Sequence, residues 1–245
     1  MTAGALAGPD ELLAQDHHVH SSFSDDATSS VAENIAAAQA RGLRTVCLAE
    51  HVRGTTRWVP DFLSTVRAAA EHTDIEVLYG VEAKILDHTG RLDLPADLPP
   101  VHRILIADHQ YPGADGPVAP AEVRRRLDDG DLSTDEAVQT LIMATMRAMQ
   151  RTPGAQLAHL FSLLPKLGLD EEVIHPDQLQ ALAGTAWQTG AVVEANEKWG
   201  CPSRAVLGEF VAAGVTVVAS TDSHRASDVG VYDRVTALVD GIEPA

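Results

Sequence analysis

The sequence has few cysteines and few basic residues, and each shortage argues against a class of protein. Cys47 and Cys201 stand far apart among 245 residues and neither belongs to a Cys-x-x-Cys pair, so nothing indicates a disulfide framework or a thiolate zinc site. Only 18 Lys and Arg residues accompany 35 Asp and Glu residues, and the net charge of −17 would repel a nucleic-acid backbone. We therefore expect no nucleic-acid partner.

Long apolar runs are also missing. No stretch approaches the roughly 18 apolar residues that a membrane helix needs, and Met1–Gln15 lacks the basic segment and apolar run of a signal peptide. We therefore expect a cytoplasmic protein with no membrane partner. The oligomeric state cannot be read from the sequence.

What is present suits one globular unit. An apolar fraction of 45% with 22% charged residues is typical of a soluble protein with a sizeable core. A length of 245 residues fits two small domains or one α/β barrel. Because no linker or internal repeat divides the chain, we predict a single domain over residues 1–245.

Short apolar or β-branched runs alternate with segments of helical period, which predicts an α/β fold with a parallel sheet. The seven predicted strands are Leu12–His20, Arg44–His51, Ile75–Glu82, Val101–Gln110, Gln156–Leu160, Ala191–Ala195 and Val215–Thr221.

Helix signals fill the spaces between these runs. Ser30 and Glu33 form a capping box before an alanine-rich run that stops at Gly42. Four more helices are predicted by apolar spacing: Pro60–His72, Ser133–Arg151, Pro176–Thr189 and Ser203–Ala213. Asp87–Pro100 and Tyr111–Pro120 are predicted loops because they are rich in Pro, Gly or Asp.

Ionisable residues stand at the ends of almost all predicted strands. They are His18 and His20, Glu50 and His51, Glu82, Asp108 and His109, His159, and Asp222 and His224. The C-terminal ends of barrel strands meet on one face, so we expect these side chains to converge there.

Two of these pairs have the spacing of residues that share one side of a strand. His18 and His20 flank Val19, and Asp222 and His224 repeat the same interval at the last strand. Imidazoles mixed with carboxylates suit Zn, Mn or Fe, and the number of candidates implies more than one ion. The nine candidate ligands are His18, His20, Asp25, His51, Glu82, His109, His159, Asp222 and His224, with Asp26 as the alternative to Asp25.

Three motifs resemble those of the PHP (polymerase and histidinol phosphatase) superfamily. They are Asp16-His17-His18-Val19-His20 followed by Phe23-Ser24-Asp25-Asp26, then Ala49-Glu50-His51, and last Ser220-Thr221-Asp222-Ser223-His224. The resemblance implies a distorted seven-stranded (β/α)7 barrel with up to three metal ions at the C-terminal ends of the strands. The length resembles that of stand-alone histidinol-phosphatase-like phosphoesterases.

The resemblance implies a metal-dependent hydrolase of small phosphorylated substrates, in which a metal-bound hydroxide attacks phosphorus. Glu82 is expected to bridge the ions, and Asp222, His224 or His51 to protonate the leaving alcohol. The residues expected to contact substrate are Lys84, Glu194, Asn196, Lys198 and Arg225. Glu50 and Asp108 should point away from the site, beside the ligands.

Three alternatives stay open from the sequence. The same fold can act on phosphodiesters, and an amidohydrolase-type barrel also opens with His-x-His but predicts a bridging lysine and an eighth strand. A non-catalytic metal-binding domain is the third alternative.

Overall fold

The structure is a computed structural model that describes residues 8–242. Its strands are β1 Gln15–Val19, β2 Thr45–His51, β3 Glu76–Lys84, β4 Arg103–Ala107, β5 Tyr111–Gly113, β6 Gly116–Val118, β7 Gln156–Ala158, β8 Val192–Asn196 and β9 Val217–Ser220. Its α-helices are α1 Pro9–Leu12, α2 Val31–Ala40, α3 Val59–Ala70, α4 Pro120–Asp128, α5 Thr134–Arg151, α6 Leu164–Leu167, α7 Pro176–Thr189, α8 Arg204–Ala212 and α9 Arg234–Val239. The predicted domain over residues 1–245 and the predicted absence of a signal peptide in Met1–Gln15 extend to residues outside the described ones, and both stay predictions.

Within the described residues, seven strands form one sheet in the order β1, β2, β3, β4, β7, β8, β9. All neighbouring pairs in this sheet run parallel. Each predicted strand overlaps one of these seven. The predicted fold class, a distorted seven-stranded α/β barrel, is confirmed.

The first and last strands of the sheet meet just beyond their C-terminal ends. The His20 N–H donates to the Ser223 carbonyl at 2.8 Å. The buried Asp16 carboxylate accepts from the Thr221 N–H at 2.9 Å, from the Thr221 hydroxyl at 2.6 Å and from the Gly230 N–H at 2.9 Å. These contacts nearly close the barrel, so residues from both ends of the chain share one mouth.

The helices predicted from the sequence are present, and α2 has the predicted signals at both ends. The Ser30 hydroxyl accepts from the Glu33 N–H, and the Glu33 carboxylate accepts from the Ser30 N–H, so α2 begins with the predicted capping box. Gly42 follows α2 with φ +73°, a conformation that glycine adopts without a Cβ clash. The four helices predicted from apolar spacing correspond to α3, α5, α7 and α8.

One predicted loop contains regular structure. Within Tyr111–Pro120, β5 and β6 form a short antiparallel hairpin in which Pro112 lies opposite Pro117. Proline has no N–H to donate to a partner strand, so its presence argues against a strand in a sequence. The strand signal was therefore hidden by the residues that form the hairpin.

The core leaves the mouth of the barrel to polar residues. Phe62 on α3 and Phe210 on α8 are fully buried in the two large apolar clusters on either side of the sheet. A separate small cluster contains Ala49, which lies two residues before His51 and on the same side of β2. No helix within residues 8–242 is both long and apolar enough to cross a membrane. The cytoplasmic location stays a prediction.

Candidate metal centre

Glu82, at the C-terminal end of β3, lies at the centre of the histidines. Its carboxylate is buried, and its two oxygens face different imidazoles. Oε2 lies 3.3 Å from His18 Nε2, 3.4 Å from His20 Nε2 and 2.8 Å from His51 Nδ1. Oε1 lies 3.0 Å from His109 Nε2 and 2.9 Å from His159 Nε2. One carboxylate therefore lies beside five histidines from the ends of four strands, β1, β2, β4 and β7.

Asp222 and His224 complete the ring beyond β9. Asp222 has φ +50°, and its Oδ1 lies 3.2 Å from His20 Nε2 and 4.0 Å from His18 Nε2. Its other oxygen accepts from the Trp199 indole N–H at 2.9 Å. The contact with the indole holds the carboxylate with Oδ1 toward the histidines.

The structure distinguishes between the neighbouring carboxylates Asp25 and Asp26. Asp25 was the predicted ligand, but its side chain is 76% exposed and its carboxylate lies 3.7 Å from Arg53. Asp26 Oδ2 instead lies 3.2 Å from His224 Nε2 and 3.6 Å from His51 Nε2. Asp26 therefore takes the position that the sequence assigned to Asp25, because the turn after β1 directs the second carboxylate inward.

The hydrogen bonds of three histidines leave a ring nitrogen free to bind a cation. His18 Nδ1 lies 3.0 Å from Glu194 Oε1, His20 Nδ1 lies 3.3 Å from Ser24 Oγ, and His224 Nδ1 lies 2.9 Å from the Asp222 carbonyl. Among residues 8–242, the Nε2 atoms of these rings and Glu82 Oε2 are buried with no hydrogen-bond partner. When Nδ1 carries the proton, Nε2 presents a lone pair, which is the form that ligates metals.

The spacing of these atoms also fits a divalent ion. Ligand atoms about 2.1 Å from a tetrahedral zinc ion lie about 3.4 Å from each other. The contacts of Glu82 and Asp222 with His18 and His20 range from 3.2 to 4.0 Å. Three groups in the described part of the chain have this character: His18, His20 and Glu82; His20, His51 and His224; and His51, Glu82 and His109.

The pKa values of His18 and Glu82 show that the buried carboxylates of the site favour a positive charge among the histidines. Burial lowers the pKa of His18, but the carboxylates of Glu194 and Glu82 outweigh burial and raise that pKa well above its usual value. Burial raises the pKa of Glu82, but His109 and His18 outweigh it and hold that pKa well below its usual range. Groups that stabilise a charged imidazole in this way also stabilise a metal cation in its place.

The mouth above these residues is an open cavity of about 400 Å³. Lys84 and Lys198, two of the predicted substrate residues, line it. Arg53 also lines it and was missed by the sequence analysis, because it lies beyond the strand end after His51. Arg225, predicted for the same role, is exposed and lines an adjacent cavity. Basic side chains thus surround the mouth of a strongly acidic protein.

Glu194 and Asn196 lie behind the site rather than at its mouth. Both were expected to contact substrate, but both are fully buried. Glu194 accepts from the Gln156 side chain at 2.6 Å and the His159 N–H at 3.0 Å, in addition to its contact with His18. The expectation is corrected: β8 is flanked by β7 and β9, so its last inward residues support the ligands from below and do not reach solvent.

Glu50 and Asp108 bind serine hydroxyls beside the histidines, in agreement with the expectation that they point away from the site. Glu50 accepts from the hydroxyls of Ser21 and Ser24, at 2.6 and 2.7 Å. Asp108 accepts from the Ser162 hydroxyl at 2.7 Å. Both carboxylates are buried and contact the neighbours of ligands.

Comparison with known proteins agrees with this geometry. The family model of the PHP domain matches residues 16–115, the part of the chain that runs from His18 to the β5 hairpin. A protein of Caldanaerobacter subterraneus subsp. tengcongensis named "probable phosphatase" is 24% identical over 249 residues, covering 94% of this chain and 84% of the relative. A "probable phosphatase" of Thermoanaerobacter sp. is 23% identical and covers 93% of this chain and 85% of the relative.

One solved structure shares the fold. The histidinol phosphate phosphatase of Lactococcus lactis subsp. lactis Il1403, solved with zinc, L-histidinol and phosphate, superposes with a TM-score of 0.64 at 17% identity. The match covers 91% of this chain and 89% of that protein. Residues 16–115 therefore match the PHP domain family, which confirms the resemblance seen in the motifs of this part of the chain.

Proposed function

We propose that the protein hydrolyses small-molecule phosphate monoesters at a centre of two or three divalent metal ions. One observation carries the proposal: the unpaired Nε2 atoms of His18, His20 and His224 converge with two ionised carboxylates beneath a mouth lined by basic side chains. Such a donor set suits Zn, Mn or Fe(II).

We group the candidate ligands into three sets in such a way that no ring nitrogen would bind two ions. The first set surrounds Glu82 Oε2, the second surrounds Glu82 Oε1, and the third lies nearest the mouth. We assign the first ion to His18, His20, Glu82 and Asp222, the second to Glu82, His109 and His159, and the third to Asp26, His51 and His224. Glu82 would then bridge the first two ions through its two oxygens.

The bound ions would polarise the phosphoryl oxygens and lower the pKa of a coordinated water, which makes a nucleophile available near neutral pH. The protein's own cations bind and orient the phosphate. Lys198 Nζ lies 3.2 Å from both Asp222 Oδ2 and His224 Nδ1, and Lys84 Nζ lies 3.2 Å from Gln110 Oε1. These contacts hold two ammonium groups on opposite flanks of the cavity, where they can reach phosphoryl oxygens.

The geometry narrows the source of the leaving-group proton. Asp222 is held ionised: burial raises its pKa, but the close contact of its Oδ1 with His20 and the charge of His18 outweigh burial and lower that pKa well below its usual range. Asp222 therefore cannot act as the acid. His51 and His224 both face the cavity with partly exposed side chains, and Asp26 contacts both. We assign proton transfer to this pair in the two-ion form, in which neither ring holds a third ion.

Two features favour a phosphoesterase over an amidohydrolase-type enzyme. The sheet in the described residues has seven strands instead of eight, and a glutamate, not a lysine, lies between the imidazoles. Lys84 is close to the site, but its Nζ contacts Gln110 and Asp93. The cavity of about 400 Å³ is open and suits a small ester.

The test uses protein that has been stripped with a chelator and reloaded with Zn, Mn or Fe(II). We expect metal-dependent release of phosphate from p-nitrophenyl phosphate and histidinol phosphate. Bis(p-nitrophenyl) phosphate tests the diesterase alternative, and simple amides and lactones test the amidohydrolase alternative. His18→Ala and Asp222→Ala should be inactive, whereas His72→Ala, an exposed histidine after α3, should match the wild type.

The outcomes separate the alternatives. Faster hydrolysis of the diester than of either monoester would replace the monoesterase assignment. Hydrolysis of amides or lactones with no phosphatase activity would support the amidohydrolase alternative. A fully metal-loaded protein that turns over no member of the panel would be a non-catalytic metal-binding domain.

A further inference from the structure

Two buried serines lie next to histidines of the metal centre and have the same set of partners. Ser24 follows β1 and contacts His20, and Ser162 follows β7 and contacts His159. Each serine also donates to a buried carboxylate, Glu50 in the first case and Asp108 in the second. Neither serine lines the mouth, and the expected phosphatase chemistry does not use either one.

The hydrogen bonds of Ser24 determine which nitrogen of His20 carries a proton. The Ser24 hydroxyl gives its only proton to Glu50 Oε2 at 2.7 Å. Its oxygen accepts from the His51 N–H at 3.0 Å, and His20 Nδ1 lies 3.3 Å away. With its proton already donated, the hydroxyl can only accept from the imidazole. His20 therefore carries its proton on Nδ1, which leaves the Nε2 lone pair available to a cation bound between Glu82 and Asp222.

Ser162 repeats this arrangement on the other side of the centre. Its hydroxyl donates to Asp108 Oδ1 at 2.7 Å, and His159 Nδ1 lies 3.1 Å from the same hydroxyl oxygen. The Leu163 N–H donates to Asp108 Oδ2 at 3.2 Å, which holds the carboxylate in place. By the same reasoning, His159 keeps a proton on Nδ1, which leaves Nε2 available to a cation bound beside Glu82 Oε1.

We propose that Ser24 and Ser162 are matched positioning residues, each of which fixes the metal-binding form of one histidine through a hydroxyl that is anchored to a buried carboxylate. The proposal rests on the metal centre but not on the phosphatase activity. In contrast, no serine lies between His18 Nδ1 and the Glu194 carboxylate, at 3.0 Å, or between His224 Nδ1 and the Asp222 carbonyl, at 2.9 Å. The two histidines face different oxygens of Glu82: His20 faces Oε2 and His159 faces Oε1. Each serine therefore supports a ligand on a different side of that carboxylate.

The division between the two Glu82 oxygens makes the effect of each serine specific to one ion. Partners behind a metal ligand typically contribute about 10- to 100-fold in metal affinity. We expect Ser24→Ala to lower the affinity for the ion that His20 binds by about this factor, and Ser162→Ala to lower the affinity for the ion that His159 binds. In each variant the other ion should bind as in the wild type.

The experiment titrates metal-free protein with Zn²⁺ in competition with a chromogenic chelator, which measures affinity without any substrate. Ser24→Thr and Ser162→Thr retain the hydroxyl and should restore affinity, and Ser22→Ala, exposed in the same segment as Ser24, is the matched control. Equal affinities in the wild type and both alanine variants would overturn the proposal. A uniform loss of affinity for all ions, not restored by threonine, would also overturn it.

A second measurement does not depend on the stability of any variant. Long-range ¹H–¹⁵N spectra of the zinc-loaded wild type report which ring nitrogen carries the proton. We expect a protonated Nδ1 and a metal-bound Nε2 for both His20 and His159. The opposite tautomer at either ring would overturn the assignment for that serine, whether or not the protein hydrolyses phosphate esters.

Discussion

The acidic side chains around the metal centre lie in two regions with different surroundings. Asp16, Glu50, Asp108 and Glu194 form a supporting layer: all are buried, and each accepts at least two hydrogen bonds from the chain. Asp25 and Asp26, at the mouth, have side chains that are 76% and 55% exposed. The supporting layer fixes where the histidines point, whereas the mouth determines what charge a substrate meets. Changes in the two regions should therefore alter different quantities.

The largest effect is expected at Glu82, which belongs to neither region and contacts ligands from all sides. Glu82→Gln removes the negative charge and places an amide N–H₂ against imidazole nitrogens. We expect kcat/KM on p-nitrophenyl phosphate to fall by about a thousandfold or more, together with the loss of at least one ion. Glu76→Gln, at the partly solvated start of the same strand, should change kcat/KM by less than about threefold. A Glu82→Gln enzyme with near-normal activity would exclude the bridging role.

The supporting layer is tested next by Glu194→Gln. The amide N–H₂ would face the donors on Gln156, Asn196 and the His159 backbone, so buried groups lose their acceptor. We expect a loss of about 3 kcal/mol in the free energy of unfolding and a fall of about 10- to 100-fold in Zn²⁺ affinity. Urea unfolding and metal titration measure these, with the exposed Glu172→Gln as control. A change in KM alone would place Glu194 functionally at the mouth and contradict the comparison.

A pH effect should arise from His17, which stands in the supporting region but binds no proposed ion. Burial, followed by the charge of Arg103, lowers the pKa of His17 to about 4. The neutral ring therefore stabilises the fold above about pH 6.5, and this contribution is lost as the pH falls toward 4. By about pH 5 the loss should reach about 2 kcal/mol. His17→Leu removes the group, so its stability should fall less than that of the wild type between about pH 7.5 and pH 5.

This comparison is made by urea unfolding in the presence of chelator. Both proteins then retain the same remaining histidines, and their difference isolates His17. Parallel loss of stability in the two proteins would show that His17 is not the acid-sensitive group.

The smallest effects are expected at the mouth, where two adjacent carboxylates provide an internal control. Asp26→Asn should lower kcat/KM by about tenfold, because it weakens the ion near His51 and His224. Asp25→Asn should stay within about twofold, because that side chain is exposed and its one ion pair within residues 8–242 is with the exposed Arg53. Equal effects of the two substitutions, or a larger effect at Asp25, would return the ligand role to the residue that the sequence analysis chose.

The regular geometry of parallel β-strands allowed both the fold and the candidate ligands to be predicted from the sequence. Alternation within a strand placed His18 with His20, and the common direction of parallel strands placed Glu82, His109 and His159 at one end of the barrel. These inferences need only the strand positions. They did not require knowledge of any loop, and the strands were well signalled.

The rest of the site depends on tertiary contacts that have no local signal. The choice between Asp25 and Asp26 depends on how a turn after β1 is held by Ser21 and Ser24 against Glu50. The burial of Glu194 depends on its neighbours in the sheet, which lie far away in the sequence. The β5 hairpin was hidden because its paired prolines argue against a strand.

The central claim is that side chains from distant parts of the chain hold shared cations, and the metal content of the purified protein tests this most directly. Elemental analysis of the reconstituted wild type should give two or three divalent ions per chain. His18→Ala and Asp222→Ala should each contain at least one ion fewer, while His72→Ala contains as many as the wild type. A wild-type protein that retains no ion, or variants that retain the full number, would contradict the account.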